Sequence, residues 1–203
     1  MWMATPAGST ANVALITAAT EHGLTQSSPL QIAGVSGITT CWSGVGHCVR
    51  LIKSIEDAKK LEGEEVGLSD WVVIDQHRID QFAEATGDYQ WIHVDTERAA
   101  TEMPDGKTIS HGYLTIALIP TLTGNFIEVQ NLARAINFGL NKVRFYAPVP
   151  VGSRLRARAK VLQARKRAGA LLLTSEVRLE MEGARKPACV AETLGMYFFD
   201  EQR

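Results

Sequence analysis

Arg154-Leu155-Arg156-Ala157-Arg158-Ala159-Lys160-Val161 alternates without a fault: Leu, Ala, Ala and Val on one side, three Arg and a Lys on the other. A period of two puts the apolar side chains on one face of a strand and the cations on the opposite face. One face therefore meets a core and the other meets water, which is the habit of antiparallel sheets. The flanking sequence supplies partners. Residues 165–169 make a turn and 171–181 return; residues 182–186 turn again and 188–199 close the set. From residue 133 the pattern is one of strands, with 141–147 as a first strand ended by Pro148, Pro150 and Gly152.

The longest apolar stretch lies just upstream. Tyr113, Leu114, Ile116, Ala117, Leu118, Ile119 and Leu122 leave almost no polar side on a helix, so it should be buried, with Pro120 kinking or ending it. A long curved antiparallel sheet wrapped around this one buried helix gives it cover, and the expected class is α+β. Ser54 and Asp57 have capping-box spacing ahead of a helix over residues 55–61, and 70–74 read as a strand. Asp75 caps a helix over Gln76–Thr86, with Ile79, Phe82 and Ala83 on one face and Gly87 as its stop. Asp95 caps a short helix over residues 96–103.

Composition narrows the partners. A chain of 203 residues suits one domain. A net charge of −1 provides no global field to gather nucleic acid or an anionic membrane. No apolar run approaches the ~18 residues of a membrane span. Cys41, Cys48 and Cys189 cannot all pair and match no zinc template, which favours a reducing, cytoplasmic setting. Residues 1–48 stand apart: they contain no Lys or Arg, and all 21 basic residues lie beyond them. They carry neither the basic start of a signal peptide nor the Arg content of a transit peptide. They are expected to be a poorly ordered N-terminal extension to a domain over 49–203, with Val49 a candidate for the natural first residue through a GUG start.

The run Phe82-Ala83-Glu84-Ala85-Thr86-Gly87-Asp88-Tyr89-Gln90-Trp91-Ile92-His93-Val94-Asp95 carries the chemistry. Asp88 follows a glycine-ended helix, where a carboxylate faces the negative end of the helix dipole and no capping need places an acid. Five residues on, His93 lies among Trp91, Ile92 and Val94. A loop between them can fold back so that both side chains reach one water. Each also has a plain structural role open to it, as a turn residue and as a core histidine. His93 and Asp95 bring no further ligands at metal spacing, so no metal is expected.

With Asp70-Trp71, the Gly87-Asp88-x4-His93 core, Ile109-Ser110-His111-Gly112-Tyr113-Leu114-Thr115, Leu140-Asn141-Lys142-Val143-Arg144-Phe145 and the following Ala147-Pro148-Val149-Pro150, the chain resembles the MaoC-like dehydratases. These are also called (R)-specific enoyl-CoA hydratases and have the hot-dog fold. The resemblance is closest to their NodN-like branch and extends over residues 49–199. Gln90-Trp91 stands where the broader family has Asn-Pro, and Ala85 replaces a larger aliphatic residue.

The resemblance implies reversible hydration of trans-2-enoyl-CoA to (R)-3-hydroxyacyl-CoA in fatty-acid metabolism, with the coenzyme A thioester as substrate and no cofactor. Asp88 and His93 would hold the catalytic water. The turn at His111-Gly112 opens the buried helix, so Gly112 N–H is the candidate oxyanion donor, and His111 is either a substrate contact or a packing residue. The Arg154–Lys160 row is either a solvated face or a means of meeting coenzyme A phosphates. Edge-to-edge pairing into a homodimer, with an acyl tunnel near the interface, is also implied. Two other functions share the fold: an acyl-CoA thioesterase, and a non-catalytic acyl-thioester binding protein.

Overall fold

A computed structural model describes residues 39–41 and 48–200. The extension expected over residues 1–48 lies outside the described residues except for its last pieces. There β1 (Thr39–Cys41) pairs antiparallel with β2 (Cys48–Ile52), which in turn pairs parallel with β5 (Ile127–Val129).

Four strands and one short companion build the main sheet beside its long edge strand. β3 (Glu65–Leu68), β7 (Arg154–Arg167), β8 (Ala170–Met181), β9 (Cys189–Phe199) and β6 (Leu132–Phe145) lie in that order, and β4 (Val72–Val73) also pairs with β7. Every pairing in this sheet is antiparallel. Leu155, Ala157, Ala159 and Val161 are buried, as the alternation requires. Beyond Val161 the register shifts by a bulge, so the inward parity changes and Ala164 becomes the next buried residue. That is why the period breaks although the strand runs on to Arg167. The hairpin to β8 turns at Ala168 and Gly169, with φ of 49° and 79°, the pair of left-handed residues that a tight two-residue turn demands.

The three arginines on the cationic face of β7 are paired across the sheet. Arg156 and Arg158 meet Glu180 at 2.7 and 2.8 Å, Arg158 also reaches Glu65 at 2.6 Å, and Arg154 meets Glu182 at 2.8 Å. β3 carried no clear signal, because a four-residue Glu-Val-Gly-Leu strand contains a glycine. The structure explains that glycine: a Cβ on Gly67 would sit 2.3 Å from the Phe126 ring. Residues 70–74, expected as a strand, contribute only Val72–Val73.

The helices cover the inward face of the sheet. α1 (Ile55–Lys59) starts where Asp57 N–H donates to Ser54 Oγ. α2 (Gln76–Thr86) begins with Arg78 N–H on Asp75 Oδ1 at 2.9 Å and ends at Gly87, whose φ of 75° is free of cost only without a Cβ. After α3 (Trp91–Val94), Asp95 caps α4 (Thr96–Glu102). The expected single buried helix arrives as two, α5 (Gly112–Ala117) and α6 (Ile119–Thr123), broken at Leu118 with Pro120 in the first turn of α6. Its burial is one-sided: Leu114, Thr115, Ile119 and Leu122 face the sheet, whereas Tyr113 is 76% exposed.

Two clusters matter for the site. The main core packs Ile119, Leu122 and Phe126 on the inward residues of β7, β8 and β9. A second cluster of Ile74, Ile79, Leu114, Val149, Leu155 and Ala188 clamps α2 and α5 to the end of the sheet. That clamp fixes α2, just past whose end Asp88 lies, and α5, whose N-cap is His111.

Candidate active site

The left-handed turn at Gly87 reverses the chain out of α2 and presents Asp88 at the surface. The loop expected between Asp88 and His93 is irregular only through Gln90: α3 is a single turn, and Trp91 at its start is covered by the Arg98 guanidinium at 4.1 Å. This turn carries His93 inward, where it is 7% exposed.

His93 is gripped from two sides. Its Nδ1 lies 2.6 Å from the Ile109 carbonyl oxygen. A carbonyl only accepts, so Nδ1 bears the hydrogen and Nε2 of the neutral ring keeps its lone pair. Ile109 is itself tied back, its N–H donating to the Ile92 carbonyl at 3.0 Å. On the other side Gln76, at the start of α2, donates from Nε2 to the His93 carbonyl at 2.8 Å, and its Oε1 accepts from the buried Thr108 hydroxyl at 2.5 Å.

His111 lies behind this pair, 2% exposed. Its ring stacks on His93 with centroids 3.8 Å apart and planes 29° apart, and the Phe82 ring stands 5.1 Å away. Nε2 donates to the Asp88 backbone carbonyl at 2.9 Å, so His111 holds both the backbone that presents the carboxylate and the imidazole opposite it. Its Nδ1 is buried without a partner among the described residues.

The Asp88 carboxylate and the His93 and His111 ring nitrogens fall within 4.8 Å of one another. Two imidazoles and a carboxylate form a donor set known for divalent metals. Stacked rings, however, aim their in-plane lone pairs side by side instead of at one point. The cluster is better arranged to move a proton than to hold an ion. Burial pushes the His93 imidazole below its ordinary value; the Ile109 carbonyl opposes this, His111 reinforces it and Asp88 opposes it. The shift favours the neutral imidazole near neutral pH.

Beside this cluster is a largely apolar cavity of about 360 Å³. His93, Ser110, Gly112 and Thr115 line one side, and residues 145–149 with Ala188 line the other. Gly112 is the first residue of α5, and no acceptor meets its N–H among the described residues. A Cβ there would sit 3.0 Å from the Phe145 ring, so any other residue at the helix start would push that ring of the cavity wall aside.

Of the four residues expected at the site, His93 and Gly112 reach the cavity, Asp88 stands beside His93 on its exposed flank, and His111 packs behind. Sequence reasoning missed Gln76 and Thr108, because a glutamine at a helix start and a threonine in a loop carry no periodic or motif signal.

Residues 57–181 match the MaoC-like domain. Over 150 residues the chain is 49% identical to the 3-hydroxyacyl-thioester dehydratase Z of Mycobacterium tuberculosis, covering 73% of this chain and 99% of that protein. Nodulation protein N of Rhizobium leguminosarum is 40% identical over 149 residues, 72% of this chain and 92% of its own. The R-hydratase PhaJ1 from Pseudomonas aeruginosa superposes with a TM-score of 0.54 at 24% identity, over 68% of this chain and 83% of its own, a likeness of fold. In sequence and in its hot-dog architecture, the chain belongs to the MaoC-like dehydratase family.

Proposed function

We propose that this protein adds water reversibly to trans-2-enoyl-CoA, giving (R)-3-hydroxyacyl-CoA in fatty-acid metabolism. The observation that carries this reading is the convergence of the Asp88 carboxylate with the His93 imidazole, whose Nδ1 is taken up by the Ile109 carbonyl, beside a cavity whose wall includes the start of α5. The mycobacterial relative, named for 3-hydroxyacyl thioesters, supports the substrate class.

The chemistry follows from the hydrogen-bond roles. A thioester-conjugated double bond is electrophilic at C3. Water donates one hydrogen to the Asp88 carboxylate and the other to His93 Nε2, which directs its oxygen lone pair at C3. As the C3–O bond forms, Nε2 takes the water proton, and the double-bond electron pair moves toward the thioester carbonyl. The resulting enolate oxygen lies against Gly112 N–H; one such preorganised donor typically contributes ~3 kcal/mol. The imidazolium then returns the proton to Cα, and the nearby Asp88 carboxylate stabilises it until it does. His111 is a positioning residue here, through its stacking on His93 and its bond to the Asp88 carbonyl.

A homodimer fits the same reading. β6 is the sheet's edge, fourteen residues long, and Leu132, Ile136, Phe138 and Leu140 on it are exposed in the single chain. A long apolar edge of this kind invites a second copy. Because β6 ends at Phe145 on the cavity wall, pairing there would place the acyl channel beside the interface.

Incubation of purified protein with a chain-length series of trans-2-enoyl-CoAs tests the proposal. Gain of one water with the thioester intact is expected. Release of free coenzyme A from saturated acyl-CoA would make the protein a thioesterase, and saturable binding without turnover would make it a binding protein.

A further inference from the structure

Three donors converge on one backbone oxygen beside the cavity that His93 lines. The His111 carbonyl accepts from the Thr115 N–H at 3.1 Å, from the Thr115 hydroxyl at 3.2 Å and from the Ser110 hydroxyl at 3.2 Å. The first is the ordinary bond of a helix. The other two are additional, and together they saturate an oxygen that has two lone pairs. Ser110 and Thr115 are both buried, and both line the cavity. Ser110 also stands on a fixed backbone: its N–H donates to the Val149 carbonyl at 2.8 Å, and the neighbouring Ile109 bridges Pro150.

Either hydroxyl alone has a plain explanation, since a buried Ser or Thr commonly gives its hydrogen to a nearby carbonyl. That both give it to the same carbonyl points to the peptide unit they share. The planar group that carries the His111 oxygen carries the Gly112 N–H on its other side, and in a trans peptide the two point in opposite directions. Anchoring the oxygen therefore fixes the direction of the N–H. Donors on the oxygen also draw electron density from the amide nitrogen, which leaves its hydrogen more positive and a stronger donor. Gly112 lines the cavity, and its N–H meets no acceptor among the described residues.

We propose that Ser110 and Thr115 are positioning residues for the hydration: their hydroxyls hold and polarise the His111–Gly112 peptide so that its N–H meets the enolate oxygen of the thioester. This rests on the assignment of Gly112 N–H above and deepens it by naming what sets the direction and strength of that donor.

The test removes both hydroxyls, in Ser110→Ala/Thr115→Val, and restores one, in Ser110→Ala/Thr115→Ser. The His111 carbonyl keeps the Thr115 N–H in each, so no buried group is orphaned and the fold should survive. Losing a whole oxyanion donor costs about 10²–10³ in kcat, and each bond strengthens the next by about 10–30%. Removing both hydroxyls should then lower kcat on a trans-2-enoyl-CoA by about 3- to 60-fold, with KM little changed, and Thr115→Ser should recover part of it. The infrared carbonyl band of a bound saturated acyl-CoA, isotope-labelled at its carbonyl carbon, should move toward the frequency of the free thioester without the hydroxyls and part of the way back with the serine. A lowered Tm with kcat and the band unmoved makes the pair merely structural, and a raised KM with kcat unmoved makes them substrate contacts; either overturns the proposal. If the double variant does not fold, Ser110→Ala and Thr115→Val singly carry the same readouts with smaller changes. If the wild type hydrates no enoyl-CoA, the functional reading fails by itself and the band still judges the peptide: movement on loss of the hydroxyls supports the proposal, and an unmoved band or no binding overturns it.

Discussion

Replacing Gln76 with leucine leaves an apolar side chain one carbon shorter and removes the amide. Two buried groups then lose their partners: the Thr108 hydroxyl, 1% exposed, and the His93 carbonyl. Leaving a buried polar group unpaired costs about 1–3 kcal/mol, so the pair should cost about 2–6 kcal/mol. In a domain of this size that lowers Tm by roughly 5–25 °C. The catalytic effect is separate. Gln76 is one of the two grips on His93, and displacement of a catalytic group by an ångström costs up to about 10²-fold, so kcat should fall at least about tenfold with KM little changed. Gln76→Glu divides the two effects. It keeps an acceptor for Thr108 but loses the donor to the His93 carbonyl, so Tm should fall less while kcat falls as far. Thermal unfolding and the loss of enoyl absorbance during hydration read both quantities. A Gln76→Leu protein with lowered Tm and wild-type kcat would show that Gln76 only supports the fold, and an unchanged Tm would refute the hydrogen-bond reasoning altogether.

Because burial holds His93 below the ordinary 6.5 of an imidazole, and the base must be neutral to act, kcat/KM should be flat above that pH and fall below it. A midpoint at or above 6.5 in the acid limb would contradict the assignment. Ile136→Lys with Phe138→Lys places two charges on the exposed apolar edge of β6 and should turn a dimer into monomers by sedimentation, with the far-ultraviolet spectrum retained. Persistence of the dimer would move the interface elsewhere.

How much of this was legible in the sequence depends on the range of the interaction. Local rules located α2 from cap to cap, because Asp75 and Gly87 act within their own turn. The strict period of residues 154–161 set the inward face of β7, because burial on one side of a sheet acts on every second residue. Features that depend on distant partners were illegible. The bulge after Val161, the strand made by Glu65–Leu68 under Phe126, and the exposure of Tyr113 each depend on what packs opposite. The same division holds at the site. Asp88 and His93 could be singled out because an acid past a helix end and a histidine among apolar neighbours are locally anomalous. The stacking of His111 on His93 joins residues eighteen positions apart, and the Gln76 bridge to Thr108 spans thirty-two, with nothing local to announce either.

The shared water is the centre of the proposed chemistry, and the most direct measurement of it is the turnover of Asp88→Asn, His93→Gln and the double variant on one trans-2-enoyl-CoA. Both side chains are replaced by near isosteres, and the folded state should survive in each. Each single variant should lower kcat/KM by roughly 10²–10⁴, the scale of losing a positioned acid or base. The double should be little worse than the poorer single variant, because two groups that hold one water act as a unit. Near wild-type turnover in either folded single variant, or losses that simply multiply in the double, would contradict a single water held between Asp88 and His93.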